Sequence, residues 1–251
     1  MRKTQSGKVI EYELYESIRP KGMNLPRGAN VRESTTQQKL LNEIRAKRWL
    51  TRLVNCNFVQ GDSYITLTYS GQHPPKLPQA KKDLDNFLRR LRALRKKLKL
   101  VGELKYICVT ESDDCRMNHH VVTQHMPEQL IMDLWQFDGR GNANGGRGKR
   151  IPGHGRAPCD RLDGSYDYTF LARYVGKDKK SGKRWRQSKG LKKPKVLQEK
   201  EIPRSKIRKT FHPPKGYKVV EDNFSTSDIA GDWRYIRIVP ELVDGDRNGS
   251  G

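Results

Sequence analysis

Tyr106-Ile107-Cys108-Val109-Thr110-Glu111, a polar turn Ser112-Asp113-Asp114-Cys115-Arg116-Met117, and the return Asn118-His119-His120-Val121-Val122-Thr123 decide how this chain is read. Two β-branched runs flanking a polar turn predict paired strands. Alternation puts Ile107, Val109 and Glu111 on one face of the first strand, and Asn118, His120 and Val122 on one face of the second. A turn spanning Ser112–Met117 sets Glu111 opposite Asn118 with His120 on the diagonal, and cross-strand neighbours point to the same side. A carboxylate, an imidazole and an amide oxygen then converge on one spot. That donor set suits Mg²⁺ or Mn²⁺, the imidazole favouring Mn²⁺. On this stretch alone, His119 and His120 can equally be read as surface polar residues.

Outward from the hairpin, Ser63–Tyr69 alternates as a strand, with Ile65, Leu67 and Tyr69 on one side and Thr66 and Thr68 on the other. Thr35–Leu53 carries Leu40, Leu41, Ile44, Trp49, Leu50 and Leu53 at roughly helical spacing. Gln79–Leu100 is the clearest helix: Leu84, Phe87, Leu88, Leu91, Leu94 and Leu98 form a stripe, and nine Lys and Arg take the other side. That basic side reads either as a solvated face or as a DNA contact. Pro127 opens a short helix through Leu130, Ile131, Leu134 and Trp135. Residues 138–158 read as a basic, glycine-rich loop, Tyr166–Lys177 as a helix, and Trp233–Val239 as a strand. Residues 1–34 read as a flexible basic arm with one short strand at Val9–Leu14. Strand pairs with helices between them predict an α+β fold.

Composition narrows the function classes. Lys and Arg number 51 against 28 Asp and Glu, a formal charge of +23 that favours a polyanionic partner. Only 34% of residues are hydrophobic, which suffices for a core because they cluster in a few elements. Cys56, Cys108, Cys115 and Cys159 contain no C-x-x-C pair, so a zinc ribbon is not expected. No apolar run approaches the roughly 18 residues of a membrane span, and Met1-Arg2-Lys3-Thr4 leads into no apolar signal region. The expectation is a cytoplasmic protein with no membrane association.

Tyr174-Val175-Gly176-Lys177 is the sole Y-x-x-K among ten tyrosines. A phenol is a weak nucleophile at neutral pH unless a cation or metal favours its phenolate. In order along the chain stand Ile65-Thr66-Leu67-Thr68-Tyr69, Met117-Asn118-His119-His120-Val121-Val122 and Tyr174-Val175-Gly176-Lys177. Taken together, these three pieces resemble the ordered motifs of the HUH (His-hydrophobic-His) rolling-circle replication initiators, closest to those of small single-stranded DNA phages and related plasmids or integrated elements. Further likeness lies in Asn57-Phe58, Gly61-Asp62, Thr110-Glu111, Leu134-Trp135 and Arg184–Pro194, so the resemblance covers residues 50–200.

The resemblance implies a central antiparallel sheet of about five strands flanked by helices, the histidine strand in its middle. It implies a nuclease domain over 35–200, with C-terminal strands of 201–251 packing on it before a polar tail. Glu111, His120 and Asn118 would hold a divalent metal, Mn²⁺ or Mg²⁺. Tyr174 would attack origin DNA, giving a 5′-phosphotyrosine and a 3′-hydroxyl, and Lys177 would steady the phenolate or the phosphate. Single-stranded DNA, with or without a hairpin, is the expected partner. Lys183, Arg184, Trp185, Arg186, Lys189, Lys192 and Lys193 are the expected contacts. Without a Walker A sequence, unwinding and synthesis would fall to a host helicase and polymerase. The family pattern has a histidine where Asn118 stands, and His119 is a substitute if the strand is bulged. Phe170 and Asp178 stand four residues either side of Tyr174, which favours one nucleophile over two. The alternative is a basic protein that grips single-stranded DNA or RNA without cutting it.

Overall fold

The computed structural model describes residues 1–16, 35–71, 74–112, 116–139, 148–166, 168–174, 184–227 and 231–241. In chain order, β1 is Arg2–Ser6, β2 Val9–Tyr15, α1 Thr36–Asn57, β3 Ser63–Thr68, α2 Leu77–Lys97, β4 Tyr106–Ser112, β5 Met117–Thr123 and α3 Glu128–Gln136. Then follow β6 Cys159–Arg161, a 3₁₀ turn Phe170–Tyr174, β7 Arg186–Gln187, β8 Lys195–Glu199, α4 Ser205–Arg208, β9 Tyr217–Ser227 and β10 Gly231–Pro240. The fold is α+β, as expected.

One five-stranded sheet has the order β6-β3-β5-β4-β7, all pairs antiparallel, with the histidine strand β5 in the middle. The helix α2 starts with Pro78 in its first turn and ends in Arg95, Lys96 and Lys97, a polarity that complements the helix dipole. Its stripe of Leu84, Phe87, Leu88 and Leu91 packs with Trp135 and Ile131 of α3 on one face of the sheet, over Ile65, Leu67, Cys108 and Val121. On the other face, Leu50, Leu53 and Val54 of α1 close over Ile107, Val109 and Val122, joined by Tyr168 and Leu171. Thr35 starts α1 by accepting from the Gln38 amide at 3.2 Å. Two of the nine cations on α2 leave the solvated face: Arg95 is buried, and Arg90 is half-buried, donating to the Leu134 carbonyl at 3.1 Å.

A second five-stranded sheet, β8-β1-β2-β10-β9, was not foreseen. Within the predicted flexible arm, residues 2–15 are two paired strands rather than free chain. Their partners lie far along the sequence: β1 pairs with β8 and β2 with β10. The hairpin turns at Gly7, whose φ is +62° and whose Cβ, if present, would lie 2.1 Å from the Asn55 carbonyl oxygen of α1. Ile10, Tyr12, Leu14, Ile236, Ile238 and Ile207 form the core of this sheet's far side. Its near side meets α1 through polar groups. Arg52 ion-pairs with buried Glu11 and with Glu13, and Arg48 lies 4.0 Å from the Tyr235 ring centroid. The C-terminal strands therefore pack on the first domain through α1, as expected, but they share their sheet with the N-terminus.

The predicted helix Tyr166–Lys177 is also corrected. Tyr166 adopts a left-handed φ of +56°, which no helix accommodates, and the described part of this stretch is the 3₁₀ turn alone. No helix among the described residues is long and apolar enough to cross a membrane. Cys56, Cys108 and Cys159 are free thiols, and burial pushes Cys108 up to about 12.

Candidate active site

The hairpin register is the one its alternation predicts: Glu111 pairs with Asn118 and Val109 with His120, with no shift across residues 117–123. On the other side of β5, Thr66 faces His120 and Thr68 faces Asn118. His120 is 3% exposed. Its Nε2 lies 3.3 Å from Glu111 Oε2, and its Nδ1 shares a 2.9 Å hydrogen bond with the Tyr64 hydroxyl, the tautomer deciding which group donates. Thr66 Oγ1 stands 3.4 Å from the same nitrogen. Tyr174, carried in by the 3₁₀ turn, stacks on the His120 ring with centroids 3.5 Å apart and planes 15° apart. The structure thus brings together Glu111, His120 and Tyr174, with half-buried Asn118 in register beside them.

Tyr64 is the residue sequence reasoning missed. It stacks parallel to His120 at 6.1 Å, packs edge-on to Phe170 at 4.5 Å, and hydrogen-bonds Tyr174. Burial first, then the second phenol, push its hydroxyl well above the ordinary tyrosine range. Tyr64 therefore stays a neutral phenol that links nucleophile candidate and imidazole. The available signal was parity: Tyr64 alternates with Thr66 and shares its face.

His119 cannot substitute for Asn118, because the unbulged strand sends it through the opposite face. There it is fully buried, 2.9 Å from Thr110 Oγ1 through Nδ1 and 3.2 Å from the Tyr69 hydroxyl through Nε2. Tyr69 donates to Asp83 at 3.3 Å, Asp83 lies 3.5 Å from His154 Nε2, and the His154 ring stacks on Trp135 at 3.9 Å. Desolvation lowers the His119 pKa to about 3, so its imidazole is neutral.

Among the described residues no group of three or more His, Cys, Asp and Glu is placed to hold a metal. What stands here is Glu111 and His120 with an amide beside them. One carboxylate, one imidazole nitrogen turned toward it and one amide oxygen fit a Mg²⁺ or Mn²⁺ ion that keeps several waters. Tyr64 on Nδ1 is the kind of partner that orients a ligating histidine.

Of the expected DNA contacts, Lys189, Lys192 and Lys193 have exposed side chains. Arg184 donates to the Asn42 carbonyl at 2.6 Å, Arg186 is ion-paired with Asp85, and Trp185 is half-buried against the α1 core. Asn57 clamps this segment by exchanging two 2.8 Å hydrogen bonds with the Lys192 backbone. Asp62 ties the turn before β3 to the end of β5, accepting from the Val59 and His125 amides at 2.9 and 3.0 Å. Tyr168 is core, as expected, whereas Tyr166 is half-exposed and accepts from Lys8 at 2.7 Å. Lys177 and Lys183 lie outside the described residues, as do Asp113, Asp114, Cys115, residues 140–147 of the glycine-rich loop and the tail from 242.

Residues 62–179 match the family model of the replication-associated proteins of the ORF2 type. The matched span opens at Asp62 and contains β3, β4, β5 and Tyr174, that is, every group of the cluster just described. The match supports a replication-associated protein and a role in DNA replication. No curated protein and no solved structure matches the chain.

Proposed function

We propose that this protein is a rolling-circle replication initiator that nicks single-stranded origin DNA with Tyr174 and later rejoins it. What carries the reading is the stack of Tyr174 on His120 at 3.5 Å, with the same imidazole turned toward Glu111. A nucleophile, a metal-ligand pair and a match to a replication family then coincide in one place.

Glu111, His120 and Asn118 would hold Mn²⁺ or Mg²⁺, which when bound supplies a Lewis acid for the scissile phosphate. Tyr174 Oη forms a bond to phosphorus as the bond to O3′ breaks, leaving a 5′-phosphotyrosine and a 3′-hydroxyl once the leaving oxygen takes up a proton. Rejoining is the reverse: the 3′-hydroxyl attacks and the phenol departs. Tyr64 positions both partners, since it touches the imidazole and the nucleophilic phenol. Lys177, three residues on, would steady the charge on the phosphate. Single-stranded DNA is the substrate class, and host helicase and polymerase would supply unwinding and synthesis.

One observation favours a second reading, a non-cutting single-stranded DNA or RNA binder: Asn118 stands where the initiator pattern has a histidine. Incubating the protein and Tyr174→Phe with a labelled single-stranded library, plus Mn²⁺, Mg²⁺ or EDTA, separates the two. A covalent adduct on a denaturing gel that needs metal and Tyr174 supports the nickase. Binding without adduct under every metal supports the binder.

A further inference from the structure

The C-terminal end of α2, the turn after it and the segment around β7 enclose a groove of about 890 Å³. Arg92, Arg95 and Lys96 line it from the helix, Glu103 from the turn, and Arg186 and Lys189 from the facing wall. Arg92, Lys96 and Lys189 have exposed side chains, and the Arg92 guanidinium lies 5.7 Å from the Tyr106 ring centroid at the groove floor. Arg95 differs from them. It is 6% exposed, its Nη2 donates to the Val101 carbonyl at 3.3 Å, and its Nε has no hydrogen-bond partner among the described residues. A buried guanidinium with an unmet donor is costly to maintain, and an anion in the groove would meet it.

We infer that this groove carries the sugar-phosphate backbone of single-stranded DNA, one phosphate over Arg95 and its neighbours on Arg92, Lys96 and Lys189. That the polyanion is DNA rests on the nickase reading; that the groove takes a polyanion rests on the charges themselves. The volume is that of a pocket holding a few nucleotides, too small for a duplex. Tyr106 opens β4 and Glu111 lies near its other end, roughly 17 Å away at strand rise. The 184–189 segment links the two sides of the sheet's edge, Arg184 bonding to α1 on the active-site side and Arg186 to α2 on the groove side. DNA leaving Tyr174 toward this edge is led into the groove.

The test is anisotropy of an end-labelled oligodeoxythymidylate, roughly 20 nucleotides long, titrated with the full chain across a range of NaCl. Arg92→Ala/Lys96→Ala/Lys189→Ala should reduce the log–log salt slope by about 2, close to 0.7 per lost phosphate contact. Lys195→Ala/Lys215→Ala/Lys218→Ala, which removes the same charge from the second sheet, should leave the slope nearly unchanged. Arg95→Met should weaken binding while holding or raising the melting temperature; a lower melting temperature with unchanged affinity would make Arg95 merely structural and overturn its role. The groove is also overturned if the groove triple keeps the wild-type slope or the control triple loses as much. Equal losses with duplex DNA or with RNA overturn the commitment to single-stranded DNA. If wild type forms no tyrosine adduct yet the groove triple flattens the slope, the nickase reading falls and the groove stands. If the adduct forms and the slope is unmoved, the groove falls alone.

Discussion

His119 and His120 are neighbours on one strand and have opposite surroundings. His119 enters a dry layer between the sheet and α2/α3, with both nitrogens engaged by Thr110 and Tyr69 and its charged form disfavoured by burial. His120 enters a polar layer under the 3₁₀ turn, between Glu111 and two phenols. The chemistry of an imidazole is the same in both places; the two-residue period of the strand decides which becomes structural and which becomes reactive. One slipped residue would exchange the two roles, so the continuous register from Met117 to Thr123 is itself a functional feature.

The sharpest break of this comparison concerns the group stacked on His120. Tyr174→Phe keeps the ring and removes the oxygen, so adduct formation should fall by at least about 10⁴-fold, to the background of the gel, with single-stranded DNA affinity retained. Residual adduct at wild-type level would assign the covalent bond to another side chain. Next come the histidines themselves, as a crossed pair. His120→Ala should lower adduct formation at least about 100-fold with little change in chemical denaturation. His119→Ala should do the reverse: it opens a cavity and strands the Tyr69 and Thr110 hydroxyls, costing about 2–4 kcal/mol, while adduct yield per folded molecule stays near wild type. If both variants lose activity without losing stability, the division of labour between the two faces is wrong.

Much of this division was legible in the sequence because it depends on local rules. A six-residue turn between two alternating runs sets Glu111 beside Asn118 and His120, and the Leu84–Leu91 stripe sets which side of α2 is buried. What was not legible depends on partners distant in sequence. Arg2-Lys3-Thr4-Gln5-Ser6 has no apolar alternation, and becomes a strand because β2 lies on one side and β8, nearly the whole chain away, on the other. Arg95 falls on the edge of the apolar stripe of α2, and only the turn through Val101 closes it off. Tyr174 reads as mid-helix, yet Tyr166 turns left-handed ahead of it and delivers it from a tight 3₁₀ turn instead.

Tyr64 tests the reactive side of the comparison more finely. Tyr64→Phe removes the hydroxyl that holds His120 Nδ1, so the Mn²⁺ concentration for half-maximal adduct should rise about 10-fold, with the melting temperature nearly unchanged. A lower plateau at unchanged half-saturation would instead place Tyr64 on the phenol of Tyr174. The structural side is tested by pH. The folded pKa of His119, about 3, lies below its unfolded value, so the unfolded chain binds the extra proton as pH falls. This contribution is complete above the unfolded value and is lost as pH falls toward the folded one. Between about pH 7.5 and about pH 5.5 it should remove about 1.4 kcal/mol from the unfolding free energy, a loss that His119→Gln should abolish. An unchanged slope in that variant would mean His119 is not the group that titrates.

The smallest effect is expected at Asn118, and it bears on whether the reactive side is fully equipped. In register with Glu111, Asn118 can offer an amide oxygen, a hard donor that serves Mg²⁺ nearly as well as Mn²⁺. An imidazole there would add a nitrogen that Mn²⁺ uses better than Mg²⁺. Asn118→His should therefore tighten the Mn²⁺ dependence of adduct formation by less than about tenfold, under 1.4 kcal/mol, and leave the Mg²⁺ dependence almost unmoved. A shift in neither metal would remove residue 118 from the donor set and leave Glu111 and His120 as a two-ligand site completed by water. If wild type is silent and this variant alone forms the adduct, the asparagine marks a disabled copy of the site, since one restored donor on the same strand would be enough to revive it.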